Sequence, residues 1–134
     1  MANAKALKFP RTERGDYSAK TAAYTLLASD SGKTFAWDSS TNFKFTLPAV
    51  QKSQKGIFYH FVIATAATTA TSNGHGVTPN SVDKIVAPGV TAADAKYVYF
   101  DSASDAVGMG FTLVSDGVDG WFVRNITGTL TRET

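Results

Sequence analysis

The sequence predicts an all-β domain, an antiparallel β-sandwich or barrel of jelly-roll type with about eight strands behind an extended N-terminal arm. Apolar and polar residues alternate in Phe43–Leu47 and apolar positions recur at every second residue in Ile57–Ile63, as expected of strands that bury a face. Turn residues separate these and similar runs at short intervals. No window has the i, i+3, i+4, i+7 apolar spacing of an amphipathic helix.

The first predicted strand is "AYTLLA", which a turn at Ser29–Gly32 separates from the strand "KTFAW". The polar turn "DSSTN" follows, and the next strand, "FKFTL", ends at Pro48. The run "GIFYHFVIATA" is apolar on both faces, which is typical of a central strand. These elements predict the first half of the domain.

The stretch "ATTATSNGHGVTPNS" is rich in Thr, Ser, Asn and Gly and predicts a long loop or an exposed strand edge. Short strands follow in "VDKIVAPGV" and "DAKYVYFDS", and two longer ones surround a turn at Ser115–Gly120. Large aromatic residues beside apolar neighbours on strand faces are predicted to form the core: Trp37, Phe45, Phe61, Phe111 and Trp121.

Length and composition fit one domain that buries a core, with 134 residues of which 43% are hydrophobic and 18% charged. The chain has no cysteine, which excludes disulfides and thiolate metal sites. It has neither an apolar span of membrane length nor the apolar core of a secretory signal near residue 1. We therefore expect no membrane partner.

The strand patterns begin at Ala22, which divides the chain into an arm, residues 1–21, and a β domain, residues 22–134, and the charge is uneven along the chain. Residues 1–24 carry five basic and two acidic residues, or +3, and the remainder carries eight basic and nine acidic ones, or −1. Pro10 and Gly15 oppose a helix, and basic residues alternate with large apolar ones. An arm that binds a protein partner is favoured over an ordinary solvated terminus. The predicted partner-binding residues are Lys5, Leu7, Lys8, Phe9, Arg11, Arg14 and Tyr17.

Gly32-Lys33-Thr34 also ends the phosphate-binding P-loop motif, but that motif needs a glycine five residues before Gly32, where Leu27 stands. It also needs a following helix, whereas β-branched and aromatic residues follow here. The sequence therefore predicts a turn between two strands and no nucleotide cofactor.

Sequence signals for a metal site, for catalysis and for nucleic-acid binding are weak or absent. His60 is predicted to be a half-buried packing residue and His75 a loop tip, and no acidic residue is spaced beside either for a metal site. "DSASD" and "SDGVDG" lack the ligand spacing of an EF-hand and indicate turns, with loop calcium as the alternative. No Gly-x-Ser-x-Gly motif is present, and a basic arm alone is a weak signal for nucleic acid. We expect no enzyme activity, no cofactor, no metal and no nucleic-acid partner.

The run from "YTLLASDSGKTFAWDSSTNFKFTLPA" through "GIFYHFVIATAATTATSNGHGV" to "GFTLVSDGVDGWFVRN" resembles small all-β virion surface proteins of tailed bacteriophages. These include capsid decoration (cement) proteins and modules of tail fibres. The resemblance implies a homotrimer on the outer surface of the virion that binds the major capsid protein through the arm and stabilises the head. The alternative is a tail-fibre or spike receptor-binding module whose loops hold a sugar. A fragment of an enzyme ranks below both.

Overall fold

The computed structural model describes residues 16–68 and 73–134. Within these ranges the chain forms eleven strands and two short 3-10 helices, Ala28–Asp30 and Lys52–Gln54. No helix in them is long and apolar enough to cross a membrane. The strands are β1 Tyr17–Lys20, β2 Tyr24–Thr25, β3 Thr34–Asp38, β4 Lys44–Thr46, β5 Phe58–Thr65, β6 Asn73–Thr78, β7 Lys84–Val86, β8 Val98–Asp101, β9 Gly110–Ser115, β10 Gly120–Thr127 and β11 Leu130–Arg132.

The strands form two sheets, one of six strands in the order β1-β3-β5-β9-β10-β7 and one of five in the order β11-β8-β6-β4-β2. The prediction of an all-β, sandwich-like fold is confirmed. The predicted number of about eight strands is too low, and the sheets are mixed and open rather than antiparallel or closed into a barrel. β5 lies inside the six-stranded sheet, as its two apolar faces predicted.

Four of the five parallel pairs arise because consecutive strands from β1 to β6 alternate between the two sheets; the fifth joins β7 and β10. A chain that crosses to the other sheet and returns has reversed twice, so it runs parallel to the strand it left. This gives the parallel pairs β1 with β3, β3 with β5, β2 with β4 and β4 with β6. Turn residues mark each reversal but do not indicate which sheet the next strand joins. Of the predicted turns, the one at Ser115–Gly120 joins two paired neighbours, β9 and β10.

The core between the sheets is aromatic. Trp37 lies at its centre, with ring-centroid distances of 5.4 Å to Phe45, 5.7 Å to Phe61 and 6.1 Å to Phe111. Phe45 belongs to the five-stranded sheet and the other three to the six-stranded sheet, so the contact between Trp37 and Phe45 joins the two layers. All five residues predicted to be core, these four and Trp121, are buried. Each such ring contributes about 1.5–3 kcal/mol through burial.

One prediction about the second half of the chain is wrong. The stretch expected to be a loop or an exposed edge contains β6, which is paired on both sides with β4 and β8. Its glycines, Gly74 and Gly76, are buried where a Cβ would collide with the carbonyl oxygens of Phe100 and Val98. The glycines allow two backbones to approach closely within a sheet, and the sequence pattern does not distinguish this use from a turn.

Candidate functional site

The Gly-Lys-Thr stretch is a turn, as predicted. Gly32 has φ of +88°, and β3 begins at Thr34. The Lys33 ammonium lies 2.9 Å from Oδ1 of the buried Asp30, whose other oxygen accepts the backbone N–H of Leu27 at 3.0 Å. Burial alone would raise the pKa of Asp30, but the hydrogen bonds from Lys33 and Leu27 outweigh it and hold the pKa below its ordinary value. The ammonium group of Lys33 thus stabilises the turn through its ion pair with Asp30.

The two histidines differ in their surroundings. His60 is half-buried, as predicted, and its Nδ1 lies 2.8 Å from Oγ1 of Thr112. The prediction for His75 is wrong: it is fully buried in β6, with its ring stacked on Trp37 at 5.8 Å. Only the strand pairing of β6 carries this ring into the core. A histidine between two glycines in a polar stretch gives no sign of it.

His75 connects three other segments of the chain. Its Nε2 lies 3.0 Å from the carbonyl oxygens of both Ser39 and Thr65, so this nitrogen carries the proton. Its Nδ1 accepts the backbone N–H of Phe43 at 3.4 Å. Burial lowers the pKa of His75. The neutral imidazole is therefore a structural cross-link, with both ring nitrogens occupied.

The acidic loops are turns, as predicted. Oδ1 of Asp116 accepts the backbone N–H groups of Val118, Asp119 and Gly120 at 2.7 to 3.1 Å. Oδ1 of Asp101 likewise accepts from the residue two positions later. Among the residues that the structure describes, no group of three or more His, Cys, Asp or Glu side chains is placed to hold a metal ion.

The outer face of the six-stranded sheet carries an apolar row formed by Phe58, Val114, Phe122 and Val86. The pairing of β5, β9, β10 and β7 places these four side chains next to each other across the strands. Each of the four has a buried chain neighbour on its strand, so the row points away from the core; these neighbours are Tyr59, Leu113, Trp121 and Ile85. Phe58 is 38% exposed and Phe122 is 46% exposed. A continuous exposed apolar surface is typical of an interaction site.

Next to the row, the same face has a shallow depression of about 240 Å³. Gly110 leaves it without a side chain at one position, and a β-bulge between Arg124 and Thr127 shapes its rim. Asn125 lies in the bulge with φ of +53°. The remaining lining is mostly polar and includes His60 and Thr112 but no carboxylate. This arrangement offers hydrogen bonds, and its lining contains no carboxylate pair of the kind that glycoside hydrolysis uses.

Six of the seven predicted partner-binding residues lie outside the described residues: Lys5, Leu7, Lys8, Phe9, Arg11 and Arg14. The seventh, Tyr17, is 62% exposed at the start of β1. Since it is paired with Thr34, whose neighbour Phe35 is buried, its side chain lies on the outer face. Tyr17–Lys20 was predicted as part of the arm, and here it is the edge strand of the sheet.

The chain was compared with protein-family models, with curated proteins and with solved structures, and none of the three comparisons found a match. The similarity to phage surface proteins therefore remains a prediction from the sequence segments quoted above.

Proposed function

We propose that this protein is a binding module without enzyme activity, a decoration protein that attaches to the outer surface of a tailed-phage capsid and stabilises the head. In this proposal the partner is the major capsid protein, and the attachment runs through the residues before β1 together with Tyr17. A homotrimer is proposed from the same resemblance.

The observation that carries the proposal is the strand at the end of the predicted arm. β1 pairs with β3 over four residue pairs, and the carbonyl oxygen of Asp16 accepts the N–H of Thr34 at 2.8 Å. β3 contributes Phe35 and Trp37 to the core. A partner that binds the preceding segment is therefore connected to the hydrophobic core through one backbone ladder.

The apolar residues of the segment should contribute more to attachment than its charges. An exposed ion pair contributes about 0–1 kcal/mol, whereas full burial of a large apolar side chain contributes about 1.5–3 kcal/mol. Phe9→Ala with Tyr17→Ala should therefore weaken attachment more than Lys5→Ala with Lys8→Ala.

The test is a sedimentation assay with capsids that lack the protein. Full-length chain should co-sediment, and a chain starting at Asp16, which retains β1, should lose most of the binding. Equal binding by both chains would refute attachment through the segment. Counting copies in purified particles separates decoration, which requires hundreds, from a fibre, which has few.

A receptor-binding module is the second candidate, and the depression lined by His60, Thr112 and Asn125 favours it. Its polar lining is suited to a hydroxyl-rich ligand. Binding of a glycan by nuclear magnetic resonance, with shifts centred on Thr112 and abolished by Asn125→Ala, would move this function ahead of decoration.

A further inference from the structure

We propose that the apolar row is the docking site for the chain's own N-terminal segment, residues 1–15, in the free protein. The row has two aromatic side chains that are more than a third exposed and two half-buried valines in one line. The proposal concerns the protein away from any particle and does not depend on the proposed function.

The position at which the chain enters the sheet supports this occupant. The carbonyl oxygen of Asp16 accepts the N–H of Thr34 at 2.8 Å. Two residues earlier, in the turn before β3, the N–H of Gly32 donates to the carbonyl oxygen of Phe58 at 2.7 Å. Phe58 begins the row. The chain thus enters β1 at the same end of the sheet that carries the row.

The length of the segment is sufficient for docking within one molecule. β10, which carries Phe122, lies four strand positions from β1, or about 19 Å at a spacing of about 4.8 Å. Phe9 and Leu7 precede Tyr17 by eight and ten residues, so an extended chain of about 3.3 Å per residue carries them about 26 and 33 Å. Both apolar side chains can therefore reach the row without a second copy.

The charges are complementary. Residues 1–15 carry four basic residues and one acidic residue, or +3. Beyond the row, the turn between β9 and β10 carries Asp116 and Asp119, and Asp94 lies in the same region. Burial is the main cause of the raised pKa of Asp83, and the negative charges of these three residues raise it further. Lys84, paired with Asp119 at 3.0 Å, and Lys55, beside Gly117, reduce this negative charge without cancelling it. A cationic segment with apolar anchors fits a surface of this composition.

Docking would also limit attachment to a partner. A segment that is bound to its own domain is available to a particle only in the undocked fraction, and the apparent affinity falls by that fraction. A substitution in the row that weakens docking of the segment should then strengthen attachment to the particle, although it removes an apolar side chain from the surface.

The test uses the absence of cysteine from the chain. Ala6→Cys places a thiol between the basic and apolar residues of the segment, and Val114→Cys places one in the middle of the row while keeping both phenylalanines. The matched control pairs Ala6→Cys with Val107→Cys, at an exposed valine outside the row. If docking occurs, copper-catalysed oxidation at micromolar protein should close an intramolecular disulfide about tenfold faster or more in the row pair, because docking raises the effective concentration of the thiols.

Thermal melts of the reduced variants check that each is folded, and Val86→Cys gives a second position in the row if Val114→Cys is unstable. Equal oxidation rates in row and control pairs would overturn the proposal. Disulfide-linked dimers, formed at a rate that rises with protein concentration, would also overturn it and assign the row to a second copy. Neither result would affect the sedimentation test of attachment.

Discussion

Replacement of His75 by leucine should destabilise the domain by about 3 kcal/mol or more. Leucine fills a similar volume but cannot bond the carbonyl oxygens of Ser39 and Thr65 or the N–H of Phe43, which the imidazole now bonds. A buried polar group that loses its partner costs about 1–3 kcal/mol. Leaving two or three such groups without a partner would remove a large part of the free energy of unfolding, which is about 5–15 kcal/mol for a typical domain.

The measurement is denaturation by guanidinium chloride of the wild type, His75→Leu and the matched control His60→Leu. His60 is half-buried with one side-chain hydrogen bond, to Thr112, so the control should lose only about 1 kcal/mol. A loss for His75→Leu no larger than that for His60→Leu would show that the cross-link does not stabilise the fold.

The same residue predicts a pH dependence whose sign is fixed. Burial holds the pKa of His75 below the value of about 6.5 that it has in the unfolded chain. As the pH falls below about 6.5, the unfolded state binds more protons than the folded state, so stability falls by up to about 1.4 kcal/mol per pH unit until the folded-state pKa is reached. The charged neighbours act in opposite directions, since Asp105 favours the protonated ring and Lys44 disfavours it. His75→Leu should lack this slope as the pH falls below about 6.5, and identical slopes in wild type and variant would refute the assignment of the slope to His75.

Three further substitutions test the packing, each by chemical denaturation. Phe61→Ala removes a core ring and should cost about 3–5 kcal/mol, whereas Phe58→Ala on the outer face should cost much less; equal losses would contradict the assigned faces. Gly110→Ala should cost about 1–3 kcal/mol or more, because its Cβ would collide with the carbonyl oxygen of Phe61, and a neutral result would show that β5 and β9 can separate. Asp83→Ala should lose about 1–3 kcal/mol by unpairing the N–H of Val50, whereas Asp83→Asn keeps an acceptor and should be neutral or stabilising at pH 7. Burial raises the pKa of Asp83, so its charge opposes folding at neutral pH. This cost decreases as the pH falls through the folded-state pKa and is gone below the unfolded-state pKa of about 3.9, and a large loss for Asp83→Asn at pH 7 would refute it.

The sequence was sufficient to predict most of the strands and of the core because side chains alternate between the two faces of a strand. That alternation identified Trp37, Phe45 and Phe61 as core, and they are buried. It could not identify the partner of each strand. The parallel pairs depend on which sheet each strand joins after a turn, and residues that permit a reversal permit it in either direction.

The candidate surface was only partly predictable for the same reason. The second apolar face of β5 was visible in the sequence, as was Phe122 on the face opposite Trp121. Only the register that aligns Phe58 with Val114 and Val114 with Phe122 turns separate residues into one row. His75 was missed because glycines on either side resemble a turn unless the close approach of β8 is known.

Strand β1 connects the questions of fold and function. The absence of strand periodicity before Ala22 placed the end of the arm at residue 21. The backbone ladder with β3, however, starts at Tyr17, and Ala36 on β3 is fully buried beside it. A chain shortened to Ala22 would expose the edge of β3, so its failure to bind a particle could reflect either a lost attachment or a weakened sheet. A chain that starts at Asp16 keeps the four residue pairs and removes only the segment. Truncation at Asp16 therefore separates attachment from stability.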